Sequence, residues 1–504
     1  MVKSFNFALM RKKFLKNLGL LLFLNLLVKP FWILGIDRQV QNVVGPEEYG
    51  LYFTIFNFSF LFYIFLDLGI TNFNNRNIAQ NNQLLNKHLP GITMLKLILG
   101  FVYGIIIFLV GFLIGYRGEH LYLLAWVGFN QFILSLILYI RSNLSGLLLF
   151  KTDSFLSVLD RLLMIFICGF LLWFNFFDGM FTIHWFVYAQ TAAYLITLII
   201  ALIALLRKSG SLQFNWNYPF FILIIKKSLP FALLVLLMSF YNRIDPVLIE
   251  RLLPETIGEK QSGIYAQAFR LLDAGQNFAY LFAVLLLPLF SKMIKHNEST
   301  EKLVKLSFSI IISGVLIIAI TSQFYADDLM NLMYYPFAGE TQAQFDSRIN
   351  QSALIFRLLM FSFVAIASNY IFGTLLTANN NLKQLNIVAF CGLVINLTLN
   401  FILIPQYMSV GSAWASLVTQ VITAIAQLFI VQKEFTFKIN LRLIINLITL
   451  TIALLVCGFI INNHLDLRWE ISIMIMIAFG VIVTMVLKLI HIREFIEIIN
   501  YDNP

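Results

Sequence analysis

The residues that could do chemistry are ionisable side chains set inside apolar runs. The cations are Lys29, Lys96, Arg141, Arg161, Arg243, Arg270 and Arg357, and the acids are Asp67, Asp160, Asp245 and Asp273. A charge held in hydrocarbon is costly, so each needs a partner, a route to the interface or a function. Lys96 and Arg141 fall near one end of their runs, Arg161 follows Asp160 and Arg357 lies near the opposite end. Snorkelling or local pairing accounts for these four. Lys29 and Arg243 lie about 15 residues into their runs, roughly 22 Å at the helical rise, too deep for the near interface. Arg270 and Asp273 are three apart and share a helix face, whereas Arg243 and Asp245 are two apart and do not. A guanidinium fork matches phosphate geometry and an ammonium supplies a compact charge. Two readings therefore stand for Lys29, Arg243 and Arg270: contact with an anionic substrate, or an internal ion-pair network of Lys29, Asp245, Arg270 and Asp273. On the first reading Asp245 and Asp273 compete for the same cations and serve in gating or coupling.

Other chemistries find little footing. There is no phosphate-binding glycine loop with its lysine, so direct drive by ATP is not expected. The six His are scattered, and no His-x-x-x-His or Glu-x-x-His spacing points to a metal. The three cysteines, Cys168, Cys391 and Cys457, sit singly in apolar runs, which excludes a disulfide framework. No metal, cofactor or catalytic residue is expected.

The elements that must hold these charges follow from composition. Of 504 residues, 60% are hydrophobic and 12% charged. Soluble domains carry roughly 45–50% apolar and about 25% charged residues. The excess apolar surface has to face lipid. A net charge of +10 raises the possibility of nucleic acid, but the basic residues sit in short loops beside apolar runs, which is a membrane-topology pattern and not a nucleic-acid one.

A spanning helix needs about 20 apolar residues. Runs of that length lie at 14–36, 49–71, 91–115, 121–143, 154–177, 182–206, 228–250, 263–290, 303–325, 353–377, 384–405, 411–432, 441–462 and 470–490, about fourteen in all. Lys3, Arg11, Lys12 and Lys13 precede the first run as in a signal peptide, but no small-residue cleavage site follows, so the run reads as an uncleaved helix. With both termini in the cytoplasm, the inside segments hold 22 Lys and Arg against 6 outside. That bias favours this orientation. Residues 210–227 read as a cytoplasmic linker, and the acidic stretch 326–351 as an outer loop.

Residues 37–56 (DRQVQNVVGPEEYGLYFTIF) and 250–269 (ERLLPETIGEKQSGIYAQAF) match at a constant offset of 213, pairing Asp37 with Glu250, Gly45 with Gly258 and Gly50 with Gly263. Each copy joins the first two helices of a six-helix block. Gly45, Gly50, Gly258 and Gly263 are expected to shape these outer hairpins. Internal repeats of this kind predict two lobes around a central cavity. The all-α plan is an N-lobe over 1–209, the linker, a C-lobe over 228–432 and an additional helix pair at 441–490.

The stretch VVGPEEYGLY (43–52) resembles the signature after the first helix of bacterial polysaccharide-export flippases, in the multidrug/oligosaccharidyl-lipid/polysaccharide exporter superfamily. LNFILIPQYMSVGSAWASLVTQ (399–420) is similar to that family's passage from helix eleven to helix twelve. Helix eleven carries Asn396 and Asn400 at positions where relatives vary, so the resemblance transfers no role to them. The resemblance implies two six-helix bundles around a V-shaped cavity in the bacterial inner membrane. The implied activity is alternating-access transfer of a polyprenyl-diphosphate-linked oligosaccharide, for O-antigen (lipopolysaccharide), capsule or exopolysaccharide synthesis. Its partners would be the lipid-linked glycan, membrane lipids, and glycosyltransferases and a polymerase of the pathway. A cationic cavity suits the diphosphate. The alternatives are a multidrug antiporter of the same superfamily, which would favour acids over cations, and a membrane-embedded glycan polymerase or acyltransferase. An enzyme of that class would need clustered catalytic groups in a large outer loop, and 326–351 has no His and one Arg.

Overall fold

The computed structural model describes residues 23–25, 27–71, 74, 75, 78, 81, 83–173, 181–209, 218–337, 339–438, 440–465 and 467–490. The basic N-terminal residues, the start of the first run and residues 210–217 of the expected linker lie outside the described residues. Every regular element among the described residues is helical. A π-helical turn at Trp32–Asp37 leads into α1 (Arg38–Leu61) and a 3-10 turn at Tyr63–Leu66. Then follow α2 (Leu84–Leu113), α3 (Gly118–Gly146), α4 (Phe150–Trp173), α5 (Ile183–Leu206), α6 (Tyr218–Arg243) and α7 (Asp245–Leu252). They are succeeded by α8 (Glu255–Lys295), α9 (Glu301–Met333), α10 (Gln342–Ala378), α11 (Leu382–Phe435), α12 (Leu441–His464) and α13 (Trp469–Val486).

Ten of these helices are long and apolar enough to cross a membrane, or eleven if the pair α6–α7, bent by 50°, is one span. Particular residues explain why this differs from a count of runs. The run at 14–36 lies partly outside the described residues. The run at 49–71 begins in α1 and continues through the 3-10 turn, and its polar Thr54, Asn57 and Ser59 are buried against protein, so it need not be apolar enough for lipid. The runs at 384–405 and 411–432 share α11, which breaks at Met408 (φ 54°, ψ −137°). There the chain doubles back so closely that a methyl group on Gly411 would come within 2.4 Å of the Leu403 carbonyl oxygen.

By contact the chain divides into two compact units, residues 1–263 and 264–504. In the first, α5 lies against α3 and α4, and α1 against α3, α6 and α7. Ile92, Leu95, Leu99, Tyr139, Ile140 and Leu205 form part of its core. In the second, α10 lies between α9 and α11, and 72% of its spanning window is buried. A capping box starts α10: the Thr341 hydroxyl accepts from the Gln344 amide, and the Gln344 side chain accepts from the Thr341 amide. The windows of α12 and α13 are only 22% buried, as expected of helices with a lipid-facing surface. They attach to α9 through Ile317, Ile320, Leu450, Leu454 and Met476. Gly458 against Phe324 and Gly480 against Ile317 permit that close approach, the small-residue device of helices packed in lipid.

Candidate functional site

The repeated hairpins meet inside the first unit. Gly45 ends the first helical stretch at φ 80° and ψ 170°, a backbone region essentially reserved for glycine. Pro46 then opens the next stretch, where its fixed φ and missing N–H suit a first helical position. One turn on, a methyl group on Gly50 would lie 1.9 Å from the Glu259 carbonyl oxygen, and one on Gly263 would lie 1.8 Å from the Pro46 carbonyl oxygen. Since Pro46 and Glu259 are also related by the 213-residue offset, the contact is two-fold: each glycine receives the partner copy's backbone one turn before the partner glycine. Thr54 Oγ1 adds a 2.7 Å hydrogen bond to Ser262 Oγ beside this crossing. Gly258 has an ordinary helical φ. It is required because a methyl group there would meet the Glu250 carbonyl oxygen at 2.5 Å.

The cations of the first unit fall into two places. Lys29 is half-buried on the helix before the π turn, and the charges of Arg161, Asp160 and Arg141 act on it. Arg161 lies 3.7 Å from Asp160, with its guanidinium over the Trp32 ring at 5.5 Å, and Arg141 Nε donates to Asp153 at 2.8 Å. For Arg141 and Arg161, then, local pairing accounts for the charge, and the charges of both cations still act on Lys29. Counted with their partners Asp153 and Asp160, the three cations Lys29, Arg141 and Arg161 exceed the acids by one charge. Arg243 stands at the bend between α6 and α7, its guanidinium 5.4 Å from the Phe60 ring centre. Asp245 is fully buried in the first turn of α7, where the helix dipole favours a carboxylate. A helix broken at membrane depth with charge at the break is how transporters present polar groups to cargo or coupling ions. At the offset of 213, Arg243 corresponds to Pro30 and the bend to the start of the π turn, so both copies depart from regular helix at one position.

Arg270 and Asp273 belong to the second unit, where they pair on α8 at 3.7 Å. Arg357 pairs with Asp327 and donates through Nε to the Gln323 carbonyl at 3.1 Å. Asn396 and Asn400 are fully buried, the Asn400 amide donating to the Asn396 carbonyl at 3.0 Å. A polar band joins α10 to α11, with Asn369 donating to Gln420 Oε1 at 3.2 Å and to Thr423 Oγ1 at 3.1 Å.

Two arrangements escaped sequence reasoning. Lys96 is 1% exposed and does not snorkel. Its ammonium donates to the Leu66 carbonyl at 3.0 Å, to Ser135 Oγ at 2.9 Å and to Asp67, which fully satisfies its three protons at the end of the 3-10 turn. The signal was the pair of intramembrane charges Asp67 and Lys96, but 29 residues separate them and no local rule joins them. The second gathers His120, Glu250, Arg251, Glu255 and Glu259 where α3 begins and α7 passes into α8. Those residues lie in expected outer loops, where charge is unremarkable from sequence alone.

The polysaccharide biosynthesis protein family matches residues 14–294. No curated protein matches by sequence. Among solved structures, the chain is similar to a lipid II flippase, MurJ, in an inward closed conformation (TM-score 0.69, 16% identity, 94% of this chain and 100% of that one covered). It is similar also to an inward-facing multidrug resistance MATE family transporter of the MOP superfamily (TM-score 0.62, 16% identity, 83% and 98% covered). A third is a MOP superfamily transporter from Pyrococcus furiosus (TM-score 0.58, 17% identity, 83% and 95% covered). At these identities the likeness is one of fold, an all-helical multi-span fold shared with these transport proteins. With more than half of its length matched, the chain belongs to the polysaccharide biosynthesis protein family.

Proposed function

We propose that this protein is a flippase that carries a polyprenyl-diphosphate-linked oligosaccharide across the bacterial cytoplasmic membrane by alternating access, for O-antigen, capsule or exopolysaccharide synthesis. Both termini then lie in the cytoplasm, with lobes at 1–209 and 228–432 joined by the 210–227 linker. The observation that carries the reading is the concentration of positive charge at Lys29, Arg141 and Arg161 inside a membrane-spanning unit of a polysaccharide biosynthesis family member. A diphosphate entering a low-dielectric slab without countercharge would meet a large desolvation cost, so the cations must be in place beforehand. Lys29, Arg243 and Arg270 hold the diphosphate, and Asp245 and Asp273 compete for the cations at release. Glycosyltransferases and a polymerase of the same pathway make and consume the cargo.

The alternative, a multidrug antiporter, draws on the likeness to MATE transporters. Cationic drugs would favour a net negative charge, the opposite of that around Lys29. The test is glycan export in cells. Lys29→Ala and Arg243→Ala should each weaken substrate binding by about 1–3 kcal/mol, the scale of a lost charge-assisted contact, and so reduce export at normal protein levels. Arg357→Ala, which lies in a pair exposed enough to be screened, should change export little. Intact export in both Lys29→Ala and Arg243→Ala would remove the cationic site.

A further inference from the structure

We infer that His120, Glu255 and Glu259 form a binding site for a divalent first-row transition cation of the zinc class. The inference is independent of the proposed cargo. One ligand atom from each of the three side chains lies within 4.8 Å of the others, a spacing that one ion can bridge. Glu255 and Glu259 are four apart on α8, so their carboxylates share a face one turn apart. His120, in the first turn of α3, presents Nε2 to that face, 3.4 Å from Glu259 Oε1 and 3.3 Å from Glu250 Oε1. An imidazole nitrogen set between two carboxylate oxygens either donates an N–H to one of them or, as the unprotonated nitrogen, shares a bound cation with them.

Charge points the same way. Glu250 is 1% exposed and doubly engaged by Arg251, whose guanidinium also reaches the Ile114 carbonyl at 3.3 Å and lies 3.4 Å from His120 Nε2, a contact that a bound ion would replace. That pair neutralises itself. Glu255 and Glu259 remain, and no Lys or Arg among the described residues forms an ion pair with either. Glu47 lies near enough for its charge to act on Glu259, which deepens the deficit of positive charge. Two carboxylates without a Lys or Arg ion-pair partner, beside an imidazole, match the donor set of a divalent ion. The nitrogen ligand favours a transition metal over calcium or magnesium, which take oxygen donors.

A separate observation marks the place. Tyr116 is fully buried, and its hydroxyl has no hydrogen-bond partner. Its ring stacks on His120 at 5.2 Å and lies beneath the Arg251 guanidinium at 4.7 Å. A buried hydroxyl without a partner is costly, and an ion-bound water would supply one in the open fourth position usual for zinc. Glu255 is exposed, so an ion has a path in. Once bound, it would tie the start of α3 to the start of α8 and stabilise the first unit.

The experiment uses the full chain, free of any affinity tag, in detergent micelles. It is dialysed against zinc alone, and bound metal is measured by elemental analysis and titration calorimetry. We expect one zinc per chain and a raised melting temperature, since a ligand that binds only the folded state stabilises it. His120→Gln, Glu255→Gln and Glu259→Gln should each weaken binding about tenfold or more, and His296→Gln should not. Glu255 is exposed, so its variant reports on the site even where a buried substitution perturbs folding. Any of three results overturns the inference: no zinc uptake by the folded wild-type chain, unchanged affinity in Glu255→Gln and Glu259→Gln, or calcium binding as tightly as zinc.

Discussion

The two copies of the hairpin repeat share a sequence pattern and use it differently. In the first, Asp37 is buried and accepts hydrogen bonds from Tyr49 Oη at 2.9 Å and from Gln41 Nε2 at 3.1 Å, partners on its own hairpin. In the second, the equivalent Glu250 pairs with its neighbour Arg251 and also reaches beyond its hairpin to His120 on α3. The turn also moves. The first copy breaks at Gly45, whereas the second breaks at Leu253, extended at φ −108° and ψ 159°, five residues before the matching Gly258. What stays fixed is the crossing of Gly50 and Gly263. A backbone contact has no alternative to glycine, but a buried acid can be satisfied by a hydroxyl, a guanidinium or a cation. Packing therefore held the two copies alike while the charged positions diverged.

The largest expected effect tests the shared part. Gly50→Val and Gly263→Val place a side chain where backbone atoms already stand at 1.9 and 1.8 Å. Each should cost more than the ~1–3 kcal/mol of ordinary overpacking. Folded protein in the membrane, measured by fluorescence-detected size exclusion, should fall sharply, while Gly104→Val, with open space around it, should not change it. Normal levels of both crossing variants would show that the contact is dispensable.

A smaller effect separates the two turns. Gly45→Ala should lower stability by about 1–3 kcal/mol, because its backbone conformation is closed to residues with a Cβ. Gly45→Asn should give no relief, since ψ of 170° lies outside the left-handed helical region that asparagine tolerates. A thermal melt in micelles in which asparagine behaves like glycine would refute that explanation.

The smallest effect sharpens the divergence of the acids. Tyr49→Phe removes one partner of Asp37 while the Gln41 hydrogen bond remains, and should cost about 0.5–1.5 kcal/mol. It should leave zinc affinity untouched, because the hydrogen bonds that Tyr49 and Gln41 give Asp37 lie within the first hairpin and do not involve His120, Glu255 or Glu259. A change in zinc binding in Tyr49→Phe would mean that the two acids are not independent.

Much of this was legible in the residues. The apolar runs require spanning helices because lipid leaves a backbone no other way to satisfy its hydrogen bonds. The offset of 213 identified Gly50 and Gly263 as equivalent, and the turn at Met408 lies between the runs that IPQYMSVGSAW separates. Pattern and spacing are local properties, and these conclusions needed nothing more.

Tertiary structure decided the partners. That Gly50 touches the backbone of 259–263, that Lys96 is satisfied by Asp67, Leu66 and Ser135, and that the charges of Arg141 and Arg161 act on Lys29 all depend on helices meeting far from their place in the chain. His120 is 135 residues from Glu255, and no motif spans that distance. Periodicity tells which face of a helix is apolar. It carries no information about which other helix will cover that face, and the chemistry of a buried charge is set by what covers it.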